Sequence, residues 1–176
     1  MNTPLLIGIS GKKLSGKDAL CTALRNQWGD KSQRIAFADA LKQEVSIACN
    51  VSRSFIEQHK AQFRPMLQWW GTDFKRHFHG DDYWVQQTLA QLVEEYSNGL
   101  ELAVIPDVRF KSEAATIKEL GGMLVRIARS TQLIDNHISE TDLDDYKHFD
   151  YIVINNGTIN DLDHEAVAIL QKLKTK

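Results

Sequence analysis

Gly11-Lys12-Lys13-Leu14-Ser15-Gly16-Lys17-Asp18 holds the densest chemistry in this chain, directly after the apolar run Leu5-Leu6-Ile7-Gly8-Ile9. Two glycines with four residues between them let the backbone curl, so that successive amide hydrogens point inward at phosphate oxygens. A helix opening at Lys17 would add its positive end. Lys17 itself would bridge the outer phosphates, where negative charge migrates during transfer. The stretch reads as a loop gripping a nucleoside triphosphate, with Gly11, Lys13, Ser15, Gly16 and Lys17 on the donor phosphates. The usual pattern places Ser or Thr after the lysine, and this chain places Asp18 there. Asp18 has two readings. It is a hard oxygen ligand for magnesium, direct or through water, or a carboxylate capping the helix amides.

Transfer to a small phosphorylated acceptor needs a second anion site facing the first. On a helix, Arg64, Gln68, Thr72 and Arg76 recur every four residues and form one stripe. Two guanidiniums with an amide and a hydroxyl between them suit phosphate and base edges, because Arg presents a planar fork matched to phosphate oxygens. Leu67, Trp70 and Phe74 form the apolar stripe beside it and belong to a core. Trp69 fits either a core or a base stack. Asp107-Val108-Arg109-Phe110 closes an apolar strand. Asp107 stands where a magnesium-organising acid is expected, and Arg109 would reach the phosphates being joined. Arg126 and Arg129 bracket the end of the next strand on opposite faces. Arg129 opens a polar segment and is the candidate for a transition-state contact. Asp39, at the end of a short strand, and Lys42 are assigned to the acceptor side.

Other residues are quieter. His77 and His79 diverge on a helix, and no Cys or second His pair completes a metal set. The acidic run Asp142, Asp144, Asp145 reads as a solvated face. No Cys-His or Ser-His pair suggests a nucleophile. Cys21 and Cys49 are the only cysteines and lie in apolar-patterned stretches, which reads as reduced core thiols of a cytoplasmic protein.

Composition bounds the rest. The chain has 176 residues, 43% hydrophobic and 25% charged, with a net charge of -2. That length makes one domain, 1–176, with a small lid and a full core. The acid-base balance argues against a general nucleic-acid binder, which shows a basic excess. No basic leader with an apolar run opens the chain, so no secretory signal is expected. No stretch approaches the roughly 20 apolar residues of a membrane span.

The elements that must position these residues follow from periodicity. Short apolar strands are expected at Leu5–Ser10, Arg34–Ala38, Leu102–Ile105 (stopped by Pro106), Met123–Ala128 and Tyr151–Ile154. Helices are expected at Lys17–Trp28, over most of 40–98 with breaks near 50–52 and 79–81, at Ser112–Leu120, and from a Thr158 cap to Lys174. Five strands alternating with helices predict a three-layer α/β/α fold on a parallel sheet. Residues 38–98 are expected to be a helical acceptor-binding region, and the polar segment 130–148 a lid. In such sheets ligands sit at the carboxyl ends of strands, where the loop at 11–17, Asp39, Asp107, Arg129 and Asn155-Asn156-Gly157 fall.

With these residues in hand, the chain resembles the phage-type deoxynucleoside monophosphate kinases over nearly its full length. The resemblance rests on the loop at 11–18 with its Lys-Asp ending, Phe37-Ala38-Asp39 with Leu41-Lys42, and Arg64 with Leu67-Gln68 and Gly71-Thr72. It continues through Asp107-Val108-Arg109, His137 with Ser139-Glu140, and Asn155-Asn156-Gly157-Thr158. It implies a P-loop fold, ATP-dependent phosphorylation of deoxynucleoside monophosphates, a magnesium requirement and a homodimer. It also implies that Asn156 and Gly157 border the adenine of ATP. Animal-type phosphomevalonate kinases share Ser-Gly-Lys-Asp and Asp-x-Arg but usually carry a second Arg where this chain has Phe110. Dephospho-CoA kinases share the Asn-x-Gly turn but keep Ser or Thr at the position of Asp18. A non-catalytic ATP-sensing module would not need the second arginine set.

Overall fold

The computed structural model describes residues 4–130 and 137–175. Its sheet has five parallel strands in the order β2-β3-β1-β4-β5: β1 Leu5–Ser10, β2 Ser32–Arg34, β3 Leu102–Val108, β4 Met123–Ala128 and β5 Tyr151–Ile154. Strands buried on both faces must be apolar throughout, and alternation divides their side chains between two cores. Ile7, Ile9, Val104, Val125 and Val153 face α1 (Lys17–Trp28) and α9 (Ile159–Lys174). Leu6, Ala103, Ile105 and Leu124 face the opposite way, toward α2 (Phe37–Cys49), α6 (Tyr83–Ser97) and α7 (Lys111–Glu119). The result is the expected three-layer α/β/α arrangement.

Between α2 and α6 the chain runs through α3 (Arg53–Gln58), α4 (Lys60–Gln68), a π-helical stretch Trp69–Arg76 and the short α5 (His77–His79). The break at 50–52 is where periodicity puts it, and Gly80–Asp82 forms the second. His59 adds an unforeseen one. The π stretch matters for geometry. Four residues overshoot an α turn of 3.6 and fall short of the wider i→i+5 turn. The angular drift of the Arg64, Gln68, Thr72, Arg76 row therefore reverses midway, and all four stay on one face.

Two strand ends differ from the sequence reading. β2 stops at Arg34, and Phe37-Ala38-Asp39 form the first turn of α2. The carboxylate of Asp39 accepts from the Ala36 amide at 3.1 Å, and that of Asp107 accepts from the Phe37 and Ala38 amides at 3.1 and 2.9 Å. Two acids thus gather the free amides at a helix start and turn the chain out of the sheet. β3 runs past Pro106 to Val108 because its register with β1 slips between Gly8 and Ser10. The bulge sets Pro106 and Asp107 opposite Ile9, and a bulge tolerates the missing proline N–H.

The expected lid also divides. Residues 131–136 lie outside the described residues. From Ser139 onward the segment is seated in the body: α8 (Ile138–Thr141) carries buried Ser139 and Glu140, and Leu143 joins the α6–α7 core. Among the described residues no helix is long and apolar enough to cross a membrane.

Candidate active site

The phosphate loop closes over the carboxyl end of β1. Leu14 adopts φ +63° and Gly16 φ +103°, and a left-handed residue inside a turn of amides builds an anion-binding concavity. A side chain at Gly16 would be strained in that conformation, and its Cβ would also collide with the amide of Asn155. That amide, Nδ2, donates to the Ser15 carbonyl at 2.8 Å from a buried position. Ser15 itself is fully buried, its hydroxyl pressed toward Gly11. Ser15 is thus packed inside the loop and does not line the cleft, while Asn155, given no role of its own from sequence, braces the loop from the end of β5.

Lys17 folds back on the loop, its Nζ donating to the carbonyls of Gly11 and Lys12 at 2.7 Å each. Burial, with Arg109 nearby, lowers its ammonium to about 8. An incoming phosphate would meet a cation poorly satisfied by neutral carbonyls. Asp18 stands exposed in the first turn of α1, whose cap is Gly16 without a side-chain bond. The capping reading of Asp18 is thus not what this structure displays.

A cleft of about 450 Å³ joins this loop to the helical region. Lys13, Lys17 and Asp18 line one end, Arg64, Gln68 and Thr72 the other, with Asp107 and Arg109 between. Eight Lys and Arg side chains line it against three acids, in a chain whose net charge is negative. Such a concentration raises the local density of anionic ligands. A neighbouring hollow of about 620 Å³ shares Thr72, Arg76 and Phe110 but reaches no loop residue.

Several predicted residues carry structural duties here. Arg76 is buried, pairs with Glu113, donates to the Asp81 carbonyl and stacks on Phe110 at 3.8 Å. Arg76 also lines the cleft, with its guanidinium already engaged by Glu113 and the Asp81 carbonyl. Asp39 lies outside the cleft lining. It pairs with Arg34 and Arg53, each at 3.0 Å, because it caps α2 rather than ending β2. Lys42 lines the cleft and pairs with Glu57. Asp107 faces the cleft while anchoring α2. Burial raises its carboxyl, against the pull of the α2 amides and of Arg109 and Arg34. Arg129, Asn156 and Gly157 are exposed and lie outside the cleft lining, with Asn156 Oδ1 accepting from the Ser130 amide at 3.0 Å.

Arg34 and Glu113 were not assigned from sequence, and Glu140 entered only within the His137, Ser139-Glu140 element of the family resemblance. Arg34 lines the cleft at the true end of β2, where the strand-end rule would have found it. Glu113 accepts from the Arg109 and Phe110 amides at 2.8 and 3.1 Å. The Oε1 of Glu140 accepts from Arg64 at 3.0 Å and from Arg109. Among the described residues no three acids, histidines or cysteines converge as a metal cage. Magnesium does not need one, since it is commonly held by one or two carboxylates with phosphates and water. Asp18 and Asp107 in one cleft fit that donor set.

Comparison with known proteins places this architecture. Shikimate kinase from Aquifex aeolicus has TM-score 0.52 at 13% identity, over 95% of this chain and 96% of that one. A gluconokinase from Sinorhizobium meliloti has TM-score 0.51 at 15% identity, over 98% and 95%. Both share the fold, an α/β P-loop kinase fold. The deoxynucleotide monophosphate kinase of Enterobacteria phage T4 is 25% identical over 130 residues, 72% of this chain and 54% of the phage protein. A protein of Acanthamoeba polyphaga mimivirus, assigned by its name to the same kinases, is 31% identical over 193 residues, 93% of this chain and 95% of its own. The sequence model of the deoxynucleotide monophosphate kinase family matches residues 49–166. With most of its length matched to that model and a relative aligned nearly end to end, the chain belongs to the deoxynucleotide monophosphate kinase family.

Proposed function

We propose that this protein transfers the γ-phosphoryl group of ATP to the phosphate of a deoxynucleoside monophosphate, yielding ADP and the diphosphate. The observation that carries this reading is the cleft itself. It joins Lys17 and Asp18 to Arg64, Gln68 and Thr72, with Arg109 between the two ends.

An oxygen of the acceptor phosphate attacks the γ-phosphorus. A new P–O bond forms as the bond to the β-phosphate oxygen breaks, and the electron pair leaves on ADP. The acceptor is already an anion, so no strong base is required. The protein's work is alignment and charge stabilisation. Gly11, Lys13, Gly16 and Lys17 hold the donor phosphates, with Asn156 and Gly157 at the donor's base. Lys42, Arg64, Gln68 and Thr72 hold the acceptor, and Arg109 faces the group in transit. Asp18 and Asp107 would hold magnesium, which when bound neutralises charge on the donor phosphates.

The test is ADP release from ATP and magnesium with a panel of acceptors. The panel contains the four deoxynucleoside monophosphates, their ribose counterparts, phosphomevalonate and dephospho-CoA, with Lys17→Ala as background. At least one deoxynucleoside monophosphate should stimulate release about tenfold or more, in the range that true acceptor binding supplies. Stimulation only by phosphomevalonate or dephospho-CoA, or by nothing, overturns the reading.

A further inference from the structure

Glu140 lies just behind the cleft wall and pairs with Arg64 and Arg109, two arginines that line it. Its Oε1 accepts from Nη2 of Arg64 at 3.0 Å and from Nη1 of Arg109, which also donates to the Ser139 carbonyl at 3.3 Å. The Glu140 side chain is 2% exposed, against 26% for Arg64 and 30% for Arg109. Burial pushes its carboxyl up, but Arg109 and Arg64 outweigh burial and hold it below the usual carboxylate range. The backbone around it is tied to the phosphate loop. Lys12 Nζ donates to the Glu140 carbonyl at 2.5 Å and pairs with Asp144 at 2.5 Å.

We propose that Glu140 is a specificity-determining residue: an internal stand-in for the acceptor's phosphate that occupies Arg64 and Arg109 until a phosphorylated acceptor displaces it. This rests on the phosphoryl-transfer reading above. Carboxylate and phosphate are the two anions whose oxygens match a guanidinium fork. Here one carboxylate oxygen serves both arginines. A phosphate monoester brings about one further negative charge at neutral pH and three terminal oxygens, enough to engage both arginines at once. Water and sugar hydroxyls bring no charge and leave Glu140 in place. Arg109 is then released toward the transferring group only when the correct class of acceptor has bound, an induced-fit form of selection. The reaction held back is hydrolysis. In it water attacks the γ-phosphorus, the bond to ADP breaks with its electron pair on ADP, and the water proton goes to solvent.

A fixed brace makes the opposite prediction. If Glu140 only holds the arginines in place, its loss disorders them and weakens anion binding. The experiment uses the full chain with Glu140→Gln, which removes the charge and keeps the shape. Calorimetry with inorganic phosphate reads the arginine pair without turnover, and ATP hydrolysis is followed without acceptor. The expected result is phosphate binding about tenfold tighter and a rise in acceptor-free hydrolysis relative to acceptor-dependent turnover. Adding Arg64→Ala should remove the gain in phosphate affinity. Unchanged or weaker phosphate binding overturns the proposal, whatever the acceptor panel shows for the kinase reading. If the variant does not fold, wild-type protein carrying 13C-labelled Glu provides the second measurement. Saturating phosphate should move the assigned Glu140 carboxyl resonance, and a resonance that stays in place overturns the proposal.

Discussion

The side-chain amide of Asn155 donates to the carbonyl oxygen of Ser15 at 2.8 Å, joining the end of β5 to the phosphate loop across 140 positions of the chain. The same amide lies where a Cβ at position 16 would go. One buried side chain thus helps hold the loop closed and, with the positive φ, helps require Gly16. Asn155→Ala leaves the Ser15 carbonyl without that donor, and an orphaned buried polar group costs about 1–3 kcal/mol. Melting temperature should fall and ATP affinity should fall with it, because the loop amides lose their fixed orientation. Both are read by a thermal melt and by calorimetry. A variant that melts lower but binds ATP as wild type does would show that the loop keeps its shape without Asn155.

Glu113 makes the stability of this fold depend on pH in an unusual direction. Burial pushes its carboxyl up to about 7, aided by Asp107 and opposed by Arg76 and by the amides of Arg109 and Phe110. An unfolded carboxyl of this kind titrates at about 4.3. Between those values the native chain holds a proton that the unfolded chain has lost. The group's contribution is therefore fully present below the unfolded value and is lost as pH rises through 7. Denaturant midpoints of wild type and Glu113→Gln at pH 5, 6, 7 and 8 read this directly. The stability advantage of wild type should shrink as pH rises. An advantage that grows with pH would mean that Arg76 and the two amides win and that Glu113 is an ordinary depressed carboxylate.

Both cores were legible because buried parallel strands are apolar at nearly every position: β1, β3, β4 and β5 lie on such runs, whereas β2 is the polar Ser32–Arg34 and the run expected as a strand at 34–38 meets it only at Arg34. The strand ends were harder. Ile35-Ala36-Phe37-Ala38 is apolar in either a strand or a helix start, and only the contacts of Asp39 and Asp107 decide. Pro106 reads as a stop until the slipped register between β1 and β3 makes room for it. In the site, the loop and the Arg64, Gln68, Thr72 row were legible because their signal is local spacing. The ion pairs were not. Arg76 finds Glu113 at 37 positions' distance, and Arg64 finds Glu140 at 76. A stripe of arginines shows where guanidiniums point, and their partners come from the tertiary fold.

Asp39 separates a helix-start role from an acceptor role. Its carboxylate takes the Ala36 amide, Arg34 and Arg53, and it does not line the cleft. Asp39→Ala should cost about 1 kcal/mol or somewhat more through the lost cap. The acceptor KM should stay within about twofold, since a residue outside the binding surface contributes little differential binding. A several-fold rise in KM at wild-type stability would return Asp39 to the acceptor site.

Asp18 has two physical roles open to it, and they differ in what they leave behind when it is removed. As a helix-start charge it would stabilise α1 by about 0.3–1 kcal/mol through the macrodipole. As a magnesium ligand it would leave stability nearly alone and set the metal concentration that the reaction needs. Asp18 lies in the first turn of α1 and also lines the cleft, so both roles are sterically open, and the proposed function takes the second. Asp18→Ala should therefore melt close to wild type while requiring several-fold more magnesium for half-maximal ADP formation. Chelation by EDTA should stop ADP formation in both proteins. Asp18→Ser, which restores the commoner hydroxyl of such loops, should recover part of the magnesium response because a hydroxyl oxygen also coordinates the ion. An unshifted magnesium titration together with a lowered melting temperature would assign Asp18 to the helix instead.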